Sequence, residues 1–210
     1  MNVEILSSRQ AATRRWQSEG AIFVMPFTEA AQAKRAADLM SRRAGAPGLI
    51  LAVHDDARDG FIALANRMFA QSDSPYFGYV AQDAFAGRQW LRFALSAFDK
   101  PAAQLVAFND GKWFGALAAY GLVRRSWASQ NYGGALFHAG YQRHYADTEL
   151  TLIATEQKGL AYVANSVLIE ADWDKDAKPT EPADRALFKA RADGGFDGKV
   201  ASAELRTRFA

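Results

Sequence analysis

Uninterrupted apolar runs alternate along this chain with stretches in which apolar residues return every three or four positions. AIFVMPF, Ala21 to Phe27, is apolar throughout, the pattern of a strand buried on both faces. TEAAQAKRAADLMSRRAG follows, with Ala and Leu at helical spacing, Thr28 able to cap the start and Gly45 able to stop the last turn. GLILAVHDD, Gly48 to Asp56, repeats the buried-strand pattern and ends in acids. DGFIALANRMFAQS then predicts a second helix and YFGYVAQD a third strand. Strand, helix, strand, helix, strand at this spacing predicts an α/β fold whose central sheet is mostly parallel and flanked by helices.

Beyond Asp83 the pattern loosens. RQWLRFALSAF predicts a helix, AQLVAFND a strand, and WFGALAAYGLVRRSW an apolar strand running into a helix. DTELTLIATEQKG predicts a helix with Asp147 and Glu149 in its first turn, where carboxylates suit the helix dipole. SVLIEADW predicts a further strand and ADRALFKARA a short helix. Residues 1–20 form a polar leader, and 193–210, with three glycines and little periodicity, a loosely packed tail.

Composition narrows the partners. The 210 residues are half hydrophobic and suit one domain, here 21–192, with a sizeable core. A net charge of +2 sets up no field that would draw nucleic acid. Cysteine is absent, which excludes disulfides and thiolate metal sites and fits a cytoplasmic protein. No run reaches the roughly 18 apolar residues of a membrane span.

The acids carry the chemistry. In parallel sheets ligands sit beyond the carboxyl ends of the strands, and Asp55, Asp56 and Asp83 all fall at such ends. Helix capping explains the same acids without a ligand, and on local pattern alone Asp147 reads first as an N-cap. His54, His138, His144, Arg124, Arg125, Asp110 and the tryptophans Trp90, Trp113 and Trp127 fit structural roles as readily as contacts to a substrate.

Taken in order, these motifs have a familiar register. HDDARDGF resembles the DDGSTDGT loop of family-two glycosyltransferases, with Asp55, Asp59 and Gly60 matching and Ala57-Arg58 in place of Gly-Ser. A helix with Asn66 follows, and YVAQDAFAGRQWL then stands where that family has its Asp-x-Asp, with Ala81 replacing the first acid. HYADTEL resembles the element that carries the family's general base. The resemblance implies a single GT-A-like (Rossmann-like) domain that transfers a sugar from a nucleotide-diphospho-sugar to a hydroxyl with inversion.

It also implies roles. Asp55 and Asp59 would serve the nucleotide, Gln82 a ribose hydroxyl, and Asp83 the diphosphate and its Mn2+ or Mg2+. Glu170 or Asp172 would complete the metal shell, and Asp147 would be the base. The acceptor would be a glycan, a lipid or another hydroxyl compound. So compact a domain would complete its acceptor site with a membrane-associated acceptor or a second copy of itself. Two rivals use the same acids: a GT-A-like domain that binds nucleotide sugar or glycan without transfer, and a receiver-like signalling domain.

Overall fold

A computed structural model describes residues 1–171 and 181–209. The chain opens with β1 (Asn2–Ser7), α1 (Ser8–Thr13) and the two-residue β2 (Trp16–Gln17). The predicted strand-helix repeat follows as β3 (Ala21–Phe27), α2 (Ala30–Arg43), β4 (Gly48–His54), α3 (Phe61–Gln71), the short β5 (Ser72–Asp73) and β6 (Tyr76–Tyr79). Next come β7 (Ala84–Ala86), α4 (Trp90–Ser96), β8 (Leu105–Asn109), β9 (Gly121–Arg124) and α5 (Arg125–Ala128). The chain closes with α6 (Ala146–Glu156), β10 (Leu160–Glu170), α7 (Pro182–Asp193), the turn-like α8 (Gly195–Gly198) and α9 (Ala203–Thr207).

Among the described residues eight strands form one sheet in the order β1-β4-β3-β6-β9-β8-β10-β7. Neighbours are parallel from β1 to β6 and across β8 and β10; β9 and β7 run against the rest. β3 lies inside this sheet and is buried along its whole length, as its unbroken apolar run predicts. Its alternate residues feed two cores: Ile22 and Val24 face the layer of α3 and α6, while Phe23 and Met25 face that of α2 and α4.

Close approach is built in at Gly78 of β6, where any Cβ would strike the ring of Phe23 on the neighbouring strand. The expected stop of α2 also holds: Gly45 has φ +69°, a left-handed value that glycine adopts without cost. The expected Thr28 cap does not form. Instead the side-chain oxygen of Gln82 accepts from the backbone N–H of Thr28 at 2.8 Å and of Glu29 at 2.9 Å.

The polar leader joins the sheet, and the tail differs from its predicted looseness. Asn2–Ser7 pairs with β4 over its full length as an edge strand. In the tail, Phe196, Val200 and Leu205 are buried against the larger core. Burial of these few apolar side chains holds a segment whose glycines hide any period.

Candidate active site

The parallel strands deliver their C-termini to one end of the sheet, and the acids gather there. Asp55 follows β4 and closes its own loop: its two carboxylate oxygens accept from the N–H of Asp59 at 2.8 Å and of Gly60 at 2.9 Å. Asp56 accepts from the backbone and hydroxyl of Ser8, at 3.0 and 2.5 Å, which locks this loop to the start of α1 and draws its pKa down. Asp59 pairs with Arg67 of α3 at 2.8 Å. His54 stacks on Phe27 of the adjacent strand.

The segment after β6 divides its labour. Gln82 serves α2, as above, and its amide nitrogen donates to Gln32 at 3.2 Å. Asp83 accepts the hydroxyl of Tyr120 at 3.2 Å and borders a cavity of about 610 Å³ between α2 and β7. Glu170, at the end of β10, lies 3.7 Å from the Lys112 ammonium and borders a different cavity of about 480 Å³. Asp172 lies outside the described residues. Among the described residues no three His, Asp or Glu side chains converge on a metal-sized point.

The second cavity is the one that holds Asp147. Phe61, Trp113, Tyr120 and Tyr145 give it aromatic walls, and Arg143, His144, Asp147 and Glu170 give it charge. Asp147 sits in the first turn of α6, where Thr148 N–H donates to its Oδ1 at 2.8 Å. Burial pushes its carboxyl up to about 6, the bond from Thr148 opposes this, and the charge of Glu170 adds to it. An acid that keeps its proton to near neutrality, facing an aromatic cavity, is equipped to exchange protons with a bound hydroxyl.

Other candidates resolve as framework. The Arg125 guanidinium donates to Ser74, Phe69 and Ser72 at 2.8 Å each, and Arg124 donates to Phe98 and Ala103. Trp90 is fully buried, and Trp127 bonds Gln157 at 2.7 Å. Asp110 caps its own turn through the N–H groups of Lys112 and Trp113. His138 lies between Tyr132 and Tyr141, its pKa lowered by burial and by nearby Arg191. His144 does reach the cavity, as does the Arg143 that its sequence setting did not single out.

Sequence reading placed Glu149 only as a first-turn acid and missed the parts that it and Asp184 play in holding this site. Glu149 is fully buried, takes two 2.7 Å bonds from Arg191, and accepts the Tyr141 hydroxyl at 2.8 Å. Asp184, also buried, accepts the backbone N–H groups of Gln142, Arg143 and His144, each at 2.8 Å. Both partnerships span about 40 residues of chain, and only a charged letter within an amphipathic helix marks them beforehand.

No protein-family model and no curated protein sequence matches the chain. Solved structures do. The mannosyltransferase PcManGT from Pyrobaculum calidifontis, in complex with GDP-Man and Mn2+, superposes with a TM-score of 0.55 at 14% identity, covering 88% of this chain and 66% of that one. TarS from S. aureus gives 0.64 at 9% identity, covering 89% and 41%. TarS 1-349 in complex with UDP-GlcNAc gives 0.61 at 10% identity, covering 89% and 69%. The chain spans less than two thirds of the length of the first two. With its mostly parallel sheet and its acids at the strand ends, the chain has the GT-A-like fold of glycosyltransferases.

Proposed function

We propose that this protein transfers a sugar from a nucleotide-diphospho-sugar to an acceptor hydroxyl, with inversion, and that Asp147 is the base. The observation that carries the reading is Asp147 itself: a carboxyl pushed up to about 6, at the head of α6, opening on an aromatic cavity at the carboxyl ends of the strands. The GT-A-like fold supports the donor class, since solved structures sharing it hold GDP-Man and UDP-GlcNAc.

In the proposed reaction the acceptor hydroxyl gives its proton to the Asp147 carboxylate as its oxygen attacks the anomeric carbon. The bond from that carbon to the diphosphate oxygen breaks on the opposite face, and the nucleoside diphosphate leaves with the electron pair. A base is most effective when its pKa lies near the working pH, which the burial of Asp147 brings about. Tyr120 and Trp113 offer flat apolar faces to a sugar ring. Asp55 and Asp59 would border the nucleotide; because both oxygens of Asp55 already hold backbone amides, its contact to a base would use remaining lone pairs.

The described residues do not assemble a site for Mn2+ or Mg2+. Asp83 and Glu170 border separate cavities, and each already has a partner, Tyr120 and Lys112 respectively. No step here passes through an ion, and the divalent cation belongs among the variables of the assay.

The same observation favours a second reading, a GT-A-like domain that binds nucleotide sugar without transferring it. Release of nucleoside diphosphate from GDP-, UDP-, CDP- and dTDP-sugars, with saccharide and lipid acceptors and with Mn2+, Mg2+ or chelator, separates the two. Turnover lost in Asp147→Asn supports transfer. Stabilisation by a donor with no turnover supports the binding domain, and neither effect with any donor overturns both.

A further inference from the structure

We propose that helix α7 is a brace that sets the position of Asp147, and that Asp184, Phe188 and Arg191 are its positioning residues. The inference rests on the reading of Asp147 as the base. Residues 184, 188 and 191 lie four and three positions apart, so they share one face of α7. That face grips the chain on both sides of Asp147 in order. Asp184 takes the N–H groups of residues 142–144, at 2.8 Å each. Phe188, fully buried, stacks on Tyr145 with ring centres 4.7 Å apart. Arg191 then forks Glu149 through two 2.7 Å bonds.

The head of α6 needs such support. Its N-cap, Tyr145, has φ 67° and makes no side-chain cap, so a non-glycine residue is held in the left-handed region. Without Asp184 the three consecutive amides at 142–144 lose the carboxylate that holds them together, and an amide that loses its partner costs stability. The carboxylate of Asp184 meets all three. Because those amides are taken, Arg143 and His144 meet a ligand through their side chains.

The brace has a consequence at Asp147. Its proton affinity depends on exclusion of water, with Glu170 and Tyr79 as charged or ionisable neighbours and Arg143 and His144 on the same cavity. Loosening residues 142–145 admits water there and returns the carboxyl toward the ordinary range near 3.8.

The test compares wild type with Asp184→Asn and Phe188→Leu in the full chain, after circular dichroism has shown both variants to be folded. Asp147 is titrated by carboxyl carbon NMR, its signal assigned by its loss in Asp147→Asn, and transfer is measured as kcat and KM. The brace predicts that the Asp147 midpoint drops by about one unit or more in either folded variant, and that kcat falls roughly tenfold with KM nearly unchanged. An unmoved midpoint with unmoved kcat in a folded variant overturns it. Should Asp184→Asn not fold, Phe188→Leu decides alone. A midpoint that moves in a protein with no transferase activity upholds the brace and defeats the base assignment instead.

Discussion

Glu149 and Arg191 meet through two 2.7 Å bonds, with the carboxylate wholly removed from solvent. The contact draws the Arg191 pKa further up, so the guanidinium stays charged at any working pH. Removing one partner leaves a buried charge without compensation, which costs about 3–5 kcal/mol. Urea denaturation of Arg191→Met will show a loss of that size, and the double variant Glu149→Gln, Arg191→Met will recover a large part of it.

The raised acid at 147 makes a prediction of opposite sign. Unfolded, this carboxyl titrates near 3.8; folded, at about 6. Between those values the native state holds the extra proton, so stability falls as pH rises through the window and the cost is fully present above it. Asp147→Asn removes the cost. Thermal unfolding will find the variant more stable than wild type near pH 8, by roughly 1–2 kcal/mol after allowance for partial solvent screening, with the gain gone below about pH 4.

If Asp147 is the base, transfer follows the same group. The kcat profile will fall on its acid side with a midpoint of about 6, because only the carboxylate accepts the proton. A profile flat down to about pH 4 assigns the proton transfer to another group.

Gln82 offers a test of framework against ligand. It holds two amides at the entry to α2. Gln82→Ala will lower stability by about 1 kcal/mol, as loss of a helix cap does. A donor affinity that drops more than tenfold at unchanged stability will show instead that Gln82 contacts the nucleotide.

Gly78 tests the packing of the central strands. Gly78→Ala drives a methyl into the Phe23 ring inside a close-packed core, and overpacking of this kind costs about 1–3 kcal/mol. Calorimetry will show the loss, and Phe23→Leu combined with it will relieve part of it.

Strands buried on both faces announced themselves, because β3 and β4 carry no polar letter until their ends. The edge strand β1 did not: NVEILS mixes polar and apolar residues, and Leu6 is its one deeply buried hydrophobic side chain. The GT-A-like fold was legible in the order of HDDARDG, YVAQD and HYADTEL, the first two at the ends of the parallel strands β4 and β6 and the third at the head of α6. The work of α7 was not. Asp184 and Arg191 are two charged letters of the short predicted helix ADRALFKARA, and only the folded chain brings them to residues 142–149. Local pattern marks where an element lies; it does not tell which distant amides an acid will meet.

β1 runs parallel to β4, so its first residue lies at the opposite end of the sheet from Asp55, Asp83 and Glu170. Whatever is joined ahead of Met1, whether a purification handle, a fluorophore or further polypeptide, emerges on the far side of the molecule from the cavity. An immobilised copy tethered there would present its cavity outward, open to a bulky acceptor.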